Sequence, residues 1–132
     1  MDIEKLIKKA IENKKNAYVP YSNFHVSSIV ITEDGSIYEG VNIENASYPA
    51  TLCAERSAIS SAITAGHKRI NTIIITGDSE YTYPCGICRQ VMSEFMDENS
   101  KIIIAKNEKD YKQYTLDEIL PMSFNKEDLK EE

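Results

Sequence analysis

Apolar residues near the start of the chain recur every three or four positions. The residues with this spacing are Ile3, Leu6, Ile7, Ala10 and Ile11, and lysines and glutamates lie between them. This period is typical of an amphipathic α-helix with one apolar face. We therefore predict that a first helix packs this face on the core.

The helical spacing gives way to alternation in residues 23–32, which read "NFHVSSIVIT". Alternate positions of an extended strand point to opposite sides. The following "EDGS" supplies an Asp-Gly turn, and residues 37–45, "IYEGVNIEN", then extend again. An Asp-Gly pair between two extended runs is typical of a β-hairpin, so these segments predict two antiparallel strands.

Two later segments are apolar without interruption, since each contains three successive isoleucines at residues 73–75 and 102–104. Such runs indicate strands that are covered on both faces, as in parallel sheets. We place these strands at 71–76 and 101–105.

A helix is predicted before each of these two strands. Residues 51–66 are small and apolar and end at Gly66, a common helix C-terminal residue. Residues 84–96 have Pro84, which we expect in the first helical turn.

The resulting order of strand, helix, strand, helix, strand predicts an α/β fold. Right-handed crossovers make the strands at 36–44, 71–76 and 101–105 parallel, with the hairpin partner antiparallel beside them. Residues 111–132 are predicted to add one strand and a short helix before a charged tail. We expect residues 1–132 to form a single domain with a mixed sheet covered by helices.

Composition limits the possible partners and location. The chain has 132 residues, of which 42% are hydrophobic, and this suffices for one core without disulfides. The net charge of −6, without any Lys/Arg block, argues against binding to polymeric nucleic acid. The charged N-terminus does not resemble a signal peptide, and no apolar stretch is long enough for a membrane span. We therefore expect a cytoplasmic protein that binds no membrane.

The three cysteines, Cys53, Cys85 and Cys88, are predicted to meet at one edge of the sheet. Each lies near the start of a helix that follows a parallel strand, and ligands gather at this edge of α/β sheets. The three-residue spacing of Cys85 and Cys88 places both sulfurs on one helix face, where they can bind one Zn²⁺ ion with Cys53. Three protein ligands leave the fourth position open, as in catalytic zinc sites.

Glu55 and Arg56 follow Cys53 closely and suggest hydrolytic chemistry. A carboxylate near a metal-activated water can accept its proton and pass it on, which is the role we predict for Glu55. Three thiolates and one Zn²⁺ carry a net negative charge, and we predict that Arg56 offsets it from behind the ligands.

Two other interpretations of the cysteines remain open. Cys85 and Cys88 could form a redox pair, although this leaves Cys53 and Glu55 without a role. A structural zinc module is the other possibility, but it would require a fourth protein ligand and no free glutamate beside the metal.

Together, "CAE" at 53–55 and "PCGIC" at 84–88 match the signature of zinc-dependent nucleobase deaminases. With "PYSNFHV", "GVNIENASYP" and "LDEILPMSF" in the same order, nearly the whole chain resembles the small, three-cysteine, homotetrameric cytidine deaminases. The resemblance implies a five-stranded mixed sheet covered by helices on both faces and one Zn²⁺ per subunit. It also implies hydrolytic deamination of cytidine and deoxycytidine in pyrimidine salvage, with Glu55 delivering protons to N3 and to the leaving amine. The chain departs from the family at Ser27-Ser28, where Gly-Ala is usual, and at Tyr83.

The resemblance also implies a nucleoside site. Asn42 and Glu44, on one side of their strand, would bind the sugar, with Glu44 accepting from the 3′-hydroxyl, and Phe24 would line the pocket. Taken alone, the two polar residues could be an exposed strand face, and Phe24 could be a core residue. The alternative enzyme is a related blasticidin-type deaminase, which shares the three cysteines and the glutamate but not the Asn-x-Glu pair. Glu44 therefore distinguishes the two.

The resemblance further implies that neighbouring subunits complete each pocket. Phe124 matches a family aromatic that reaches an adjacent subunit and stacks on the base, and Tyr48 matches a subunit-contact residue. A contact with this chain's own core is the alternative for Phe124.

Overall fold

A computed structural model describes residues 2–130, which form one five-stranded sheet with helices. The strands are β1 (Val26–Thr32), β2 (Ile37–Val41), β3 (Ile70–Gly77), β4 (Lys101–Asn107) and β5 (Asp110–Tyr114). The helices are α1 (Ile3–Asn13), α2 (Ala54–Thr64), α3 (Gly86–Phe95) and α4 (Leu116–Ile119), with 3₁₀ turns at Lys14–Asn16, Tyr48–Ala50 and Lys126–Leu129. Within the described residues, no helix is both long enough and apolar enough to span a membrane.

The sheet has the strand order β2-β1-β3-β4-β5. Strands β2, β3 and β4 run in the same direction, as predicted, but only β3 and β4 are parallel neighbours. The predicted antiparallel partner, β1, lies between β2 and β3. The tight turn at Gly35, with φ of 89°, places β1 next to β2, and α2 carries the chain across β1 to β3.

Helices cover both faces of the sheet, as predicted. On one face, α1 buries Leu6, Ile7 and Ala10 against isoleucines of β1, β3 and β4. On the other face, α2 and α3 pack on a second set of apolar residues from the same strands. The two sides of β1 therefore both face the interior, and every residue of this strand is buried.

The ends of α2 and α3 place the residues of interest. Cys53 is the N-cap of α2, and Gly66, with φ of 101°, follows its end. Cys85 is the N-cap of α3, and its extended backbone, with ψ of 166°, delays the helix to Gly86. Pro84 thus precedes α3, and the prediction that it lies in the first turn is wrong.

The last part of the sheet is antiparallel. Strand β5 pairs with β4, and α4 follows with Thr115 at its N-cap in a capping box with Glu118. The predicted additional strand and short helix are therefore confirmed.

Ser27 and Ser28, which stand where the family usually has Gly-Ala, lead to a stability prediction. Among the described residues, the hydroxyls of Ser27 and Ser28 have no hydrogen-bond partner, and both side chains are completely buried. Removing a buried, unpaired hydroxyl removes its desolvation cost, so Ser28→Ala should increase the free energy of unfolding by about 1 kcal/mol. Thermal unfolding should then shift upwards by roughly 4 °C. Ser61→Ala, at an exposed position of α2, is the control and should change stability by less than about 0.5 kcal/mol. A less stable Ser28→Ala variant would contradict the prediction.

Candidate active site

The start of α2 is fixed by its close packing on β2 at Gly40. A Cβ atom at Gly40 would lie 2.4 Å from the backbone nitrogen of Ala58 and 2.6 Å from the backbone oxygen of Ala54. No larger residue fits there without moving α2. The absence of a side chain thus lets the N-terminal turn of α2, which carries Cys53 and Glu55, lie directly against the sheet.

The three cysteines converge as predicted. Their Sγ atoms all lie within 4.8 Å of one another, and those of Cys53 and Cys85 are 3.9 Å apart. Tetrahedral coordination with Zn–S bonds of about 2.3 Å requires sulfurs about 3.8 Å apart, so the cluster fits zinc. Thiolate sulfur is also a ligand that zinc favours. Among residues 2–130, no fourth side chain joins this group, which leaves a coordination position for water.

The pKa values of the Cys53 and Cys88 thiols shift in opposite directions. Hydrogen bonding with Cys88 and then with Arg56 lowers the pKa of Cys53 to about 5, while the same interaction with Cys53, together with burial, raises the pKa of Cys88. The Cys53 thiol is thus more readily available as a thiolate than the Cys88 thiol. A bound metal favours the thiolate form of each ligand.

Arg56 lies directly behind the cluster. Its Nη2 is 3.4 Å from the Sγ of Cys53 and 3.4 Å from the backbone oxygen of Thr51. Among the described residues its Nε is buried without a hydrogen-bond partner. The guanidinium therefore adds positive charge beside the Cys53 sulfur.

Glu55 occupies the first turn of α2, and its side chain is buried, with 4% of its surface exposed. Burial raises the pKa of this carboxyl to about 7, and the nearby Cys53 adds to the rise. A carboxyl in this range can both accept and release a proton near neutral pH.

Asn42 and Glu44 lie beyond the end of β2, because this strand ends at Val41 rather than at residue 44 as predicted. The Oδ1 of Asn42 accepts from the backbone N–H of Val26 at 3.0 Å, and its Nδ2 donates to the backbone oxygen of Phe24 at 2.8 Å. Asn42 thus binds the backbone on both sides of residue 25 and fixes the start of β1.

Glu44 faces the segment 21–22. Its Oε1 accepts from the backbone N–H groups of Tyr21 at 2.9 Å and Ser22 at 3.1 Å, and its Oε2 accepts from the Ser22 hydroxyl. Phe24 lies next to this segment, with 36% of its surface exposed, so it is not a core residue in this chain.

Phe124 is held by its backbone rather than by its ring. The Nε2 of Gln90 donates to its backbone oxygen at 2.8 Å, while 61% of the residue surface is exposed. Phe124 is therefore not buried in the chain's own core. Tyr48 is also exposed, at 72%, and its ring meets that of Tyr21 edge to face.

Arg89 and Ser22 contribute to the site, and no sequence pattern predicted either of them. Arg89 donates from Nε to the backbone oxygen of Pro84 and from Nη1 to that of Ile119, both at 2.8 Å, so it ties the turn before Cys85 to α4. Ser22 binds Glu44, as described above. Arg89 follows Cys88 directly and Ser22 lies two residues before Phe24, but neither position carries a pattern that predicts its partner.

The fold and the three-sulfur site define a zinc-dependent deaminase, and comparisons with known proteins support this class. The family model described as "Cytidine and deoxycytidylate deaminase zinc-binding region" matches residues 1–106. The chain is 41% identical to a cytidine deaminase of Halalkalibacterium halodurans over 99% of this chain and 100% of that protein. It is also 41% identical to a cytidine deaminase of Mycoplasma genitalium over 96% of this chain and 98% of that protein.

The fold agrees with a solved structure. The crystal structure of a cytidine deaminase from Burkholderia pseudomallei is 37% identical, covers 94% of this chain and 100% of its own, and superposes with a TM-score of 0.87. The chain therefore belongs to the cytidine deaminase family. The expected five-stranded mixed sheet and the cysteine zinc site are both confirmed.

Proposed function

We propose that this protein deaminates cytidine and deoxycytidine hydrolytically to uridine and deoxyuridine, with release of ammonia. The observation that carries the proposal is a buried carboxyl, Glu55, in the same helix turn as one of three converging cysteines. Membership in the cytidine deaminase family supports the choice of a cytosine nucleoside as the substrate. A place in pyrimidine salvage follows from these substrates and products.

Cys53, Cys85 and Cys88 would hold the zinc ion. When bound, zinc lowers the pKa of water to roughly 7 and so supplies a nucleophile at neutral pH. Glu55 accepts a proton from the water while the oxygen of the water bonds to C4 of cytosine. The Glu55 carboxyl then protonates N3, takes the remaining proton from the oxygen now bonded to C4, and passes that proton to the amine at C4. The C4–N bond breaks, ammonia leaves and the carboxylate is regenerated.

Arg56 would reduce the negative charge of the ligand set. Three thiolates around one Zn²⁺ leave a charge of about −1, which weakens the effect of the metal on water. The guanidinium beside Cys53 withdraws charge from that sulfur through its 3.4 Å contact. Arg56 therefore acts through the ligand and not on the substrate.

Asn42, Glu44 and Phe24 would form the nucleoside site. Glu44 is a carboxylate that already accepts three hydrogen bonds and retains acceptor capacity for the 3′-hydroxyl. A 3′-hydroxyl is present in ribose and deoxyribose alike, which supports activity on both nucleosides. A polynucleotide has no free 3′-hydroxyl within the chain, so this contact excludes it.

We further propose a homotetramer in which neighbouring subunits complete each pocket. Exposed aromatic rings at Tyr48 and Phe124 support this arrangement, since a large exposed apolar side chain gains stability from a partner surface. The packing of all described helices on one sheet supports a single domain over residues 1–132. The net charge of −6 supports an enzyme that does not bind polymeric nucleic acid, and we propose that it is cytoplasmic and binds no membrane.

A substrate panel tests this proposal. Purified protein would be incubated separately with cytidine, deoxycytidine, adenosine and blasticidin S, and ammonia release would be measured. We expect release from the two cytosine nucleosides and none from adenosine or blasticidin S. Release from blasticidin S alone would favour the rival deaminase, and no release from any compound would favour a structural zinc module.

A further inference from the structure

The hydroxyl of Ser22 connects the two residues proposed to hold the nucleoside. It donates to the Oε2 of Glu44, and it accepts from the backbone N–H of Phe24 at 3.1 Å. The backbone N–H of Ser22 also donates to the Oε1 of Glu44 at 3.1 Å. Ser22 is thus the one described residue whose hydroxyl binds to both Glu44 and Phe24.

The direction of these bonds is fixed by chemistry. The Phe24 N–H can only donate, so it occupies an acceptor position of the Ser22 oxygen. The single hydroxyl proton is therefore free to point at Glu44, which as a carboxylate can only accept. This bond also lowers the pKa of Glu44, so the carboxylate is charged at neutral pH.

The bonds leave Glu44 with a defined acceptor capacity. Its Oε1 takes two N–H donors, from Tyr21 and Ser22, and each carboxylate oxygen has about two acceptor positions. Its Oε2 takes the Ser22 hydroxyl and keeps one position for a ligand. The Ser22 hydroxyl therefore decides which side of Oε2 remains open.

We infer that Ser22 is a positioning residue that orients the Glu44 carboxylate for the 3′-hydroxyl of the nucleoside sugar. The inference rests on the proposed sugar-binding role of Glu44. Among the described residues, Ser22 forms no hydrogen bond with the metal ligands or with Glu55, so its effect should be confined to sugar binding. The neighbouring Asn23, with φ of 56°, turns the backbone so that Phe24 can reach the Ser22 oxygen.

The test compares two nucleosides in three proteins. Wild type, Ser22→Ala and Ser22→Thr would be assayed with cytidine and with 3′-deoxycytidine, which lacks the hydroxyl that Glu44 would bind. For cytidine, Ser22→Ala should raise KM about tenfold with little change in kcat, as expected for the loss of a binding contact. For 3′-deoxycytidine, kcat/KM should change less than about twofold, because there is no 3′-hydroxyl for Glu44 to hold. Ser22→Thr keeps the hydroxyl, so its KM for cytidine should be close to that of wild type.

The possible results separate this inference from the proposed function. If wild type loses no activity on 3′-deoxycytidine relative to cytidine, the sugar-binding role of Glu44 is wrong, and the inference fails with it. If wild type discriminates but Ser22→Ala weakens both nucleosides equally, Glu44 keeps its role and Ser22 is only structural. Ser61→Ala, in which the lost hydroxyl binds a backbone oxygen of α2, is the matched control and should behave as wild type. Zinc content and thermal unfolding measured on every variant identify any that fails to fold.

Discussion

Replacing Glu55 by alanine should remove nearly all cytidine deamination and leave the zinc content unchanged. The carboxyl is the only proton-transfer group assigned to the reaction, and general acid–base groups contribute about 10²–10⁴-fold to rate. None of the three sulfurs is altered, so metal binding should persist. The measurements are kcat for cytidine and zinc per chain by elemental analysis.

Two further variants isolate proton transfer from other effects of this substitution. Glu55→Gln keeps the size of the buried side chain but cannot accept a proton, so it should lose activity as alanine does. Glu94→Gln makes the same chemical change at an exposed position of α3 and should retain wild-type kcat. Near wild-type turnover by Glu55→Ala would show that another group transfers the protons.

Replacing Cys88 by alanine should remove both zinc and activity. Cys88 is fully buried within the first turn of α3, and its sulfur lies within 4.8 Å of the other two. With one sulfur lost, two ligands remain, and metal affinity depends on the complete set of deprotonated ligands. We expect less than about 0.1 zinc per chain after dialysis. The value of kcat/KM should decrease by at least about 10³-fold, because the activation of water by the metal is lost.

The control for this prediction is Ile87→Ala. Ile87 lies between the two cysteines and is 64% exposed, so its removal leaves all three sulfurs in place. This variant should keep about one zinc per chain. If Cys88→Ala also kept one zinc, a metal site built from these three cysteines would be wrong.

Local patterns were sufficient to predict the elements of the fold but not the order of strands. The isoleucine runs at 73–75 and 102–104 indicated covered strands because a strand buried on both faces needs apolar residues at successive positions. The position of β1 between β2 and β3 depends on where α2 crosses the sheet. That path is fixed by packing such as the contact of α2 with Gly40, which no periodicity encodes.

The candidate site was likewise predictable only in part. Cysteine spacing, together with the rule that helix N-termini meet at one sheet edge, predicted the convergence of Cys53, Cys85 and Cys88. The surroundings of Glu44 were not predictable, because its three hydrogen-bond donors lie in a loop more than twenty positions earlier in the chain. The predicted strand at 36–44 was too long for a similar reason: Glu44 binds this loop, and the side chain of Asn42 binds the backbone of Phe24 and Val26.

Metal removal and replacement tests the central claim most directly. The protein would be dialysed against a zinc chelator, and cytidine deamination would be measured while Zn²⁺ is added back in known amounts. We predict that activity disappears with the metal and returns in proportion to added zinc, reaching its maximum at about one Zn²⁺ per chain, as three ligands and an open position require. Full cytidine deamination by protein shown to be free of metal would contradict the account.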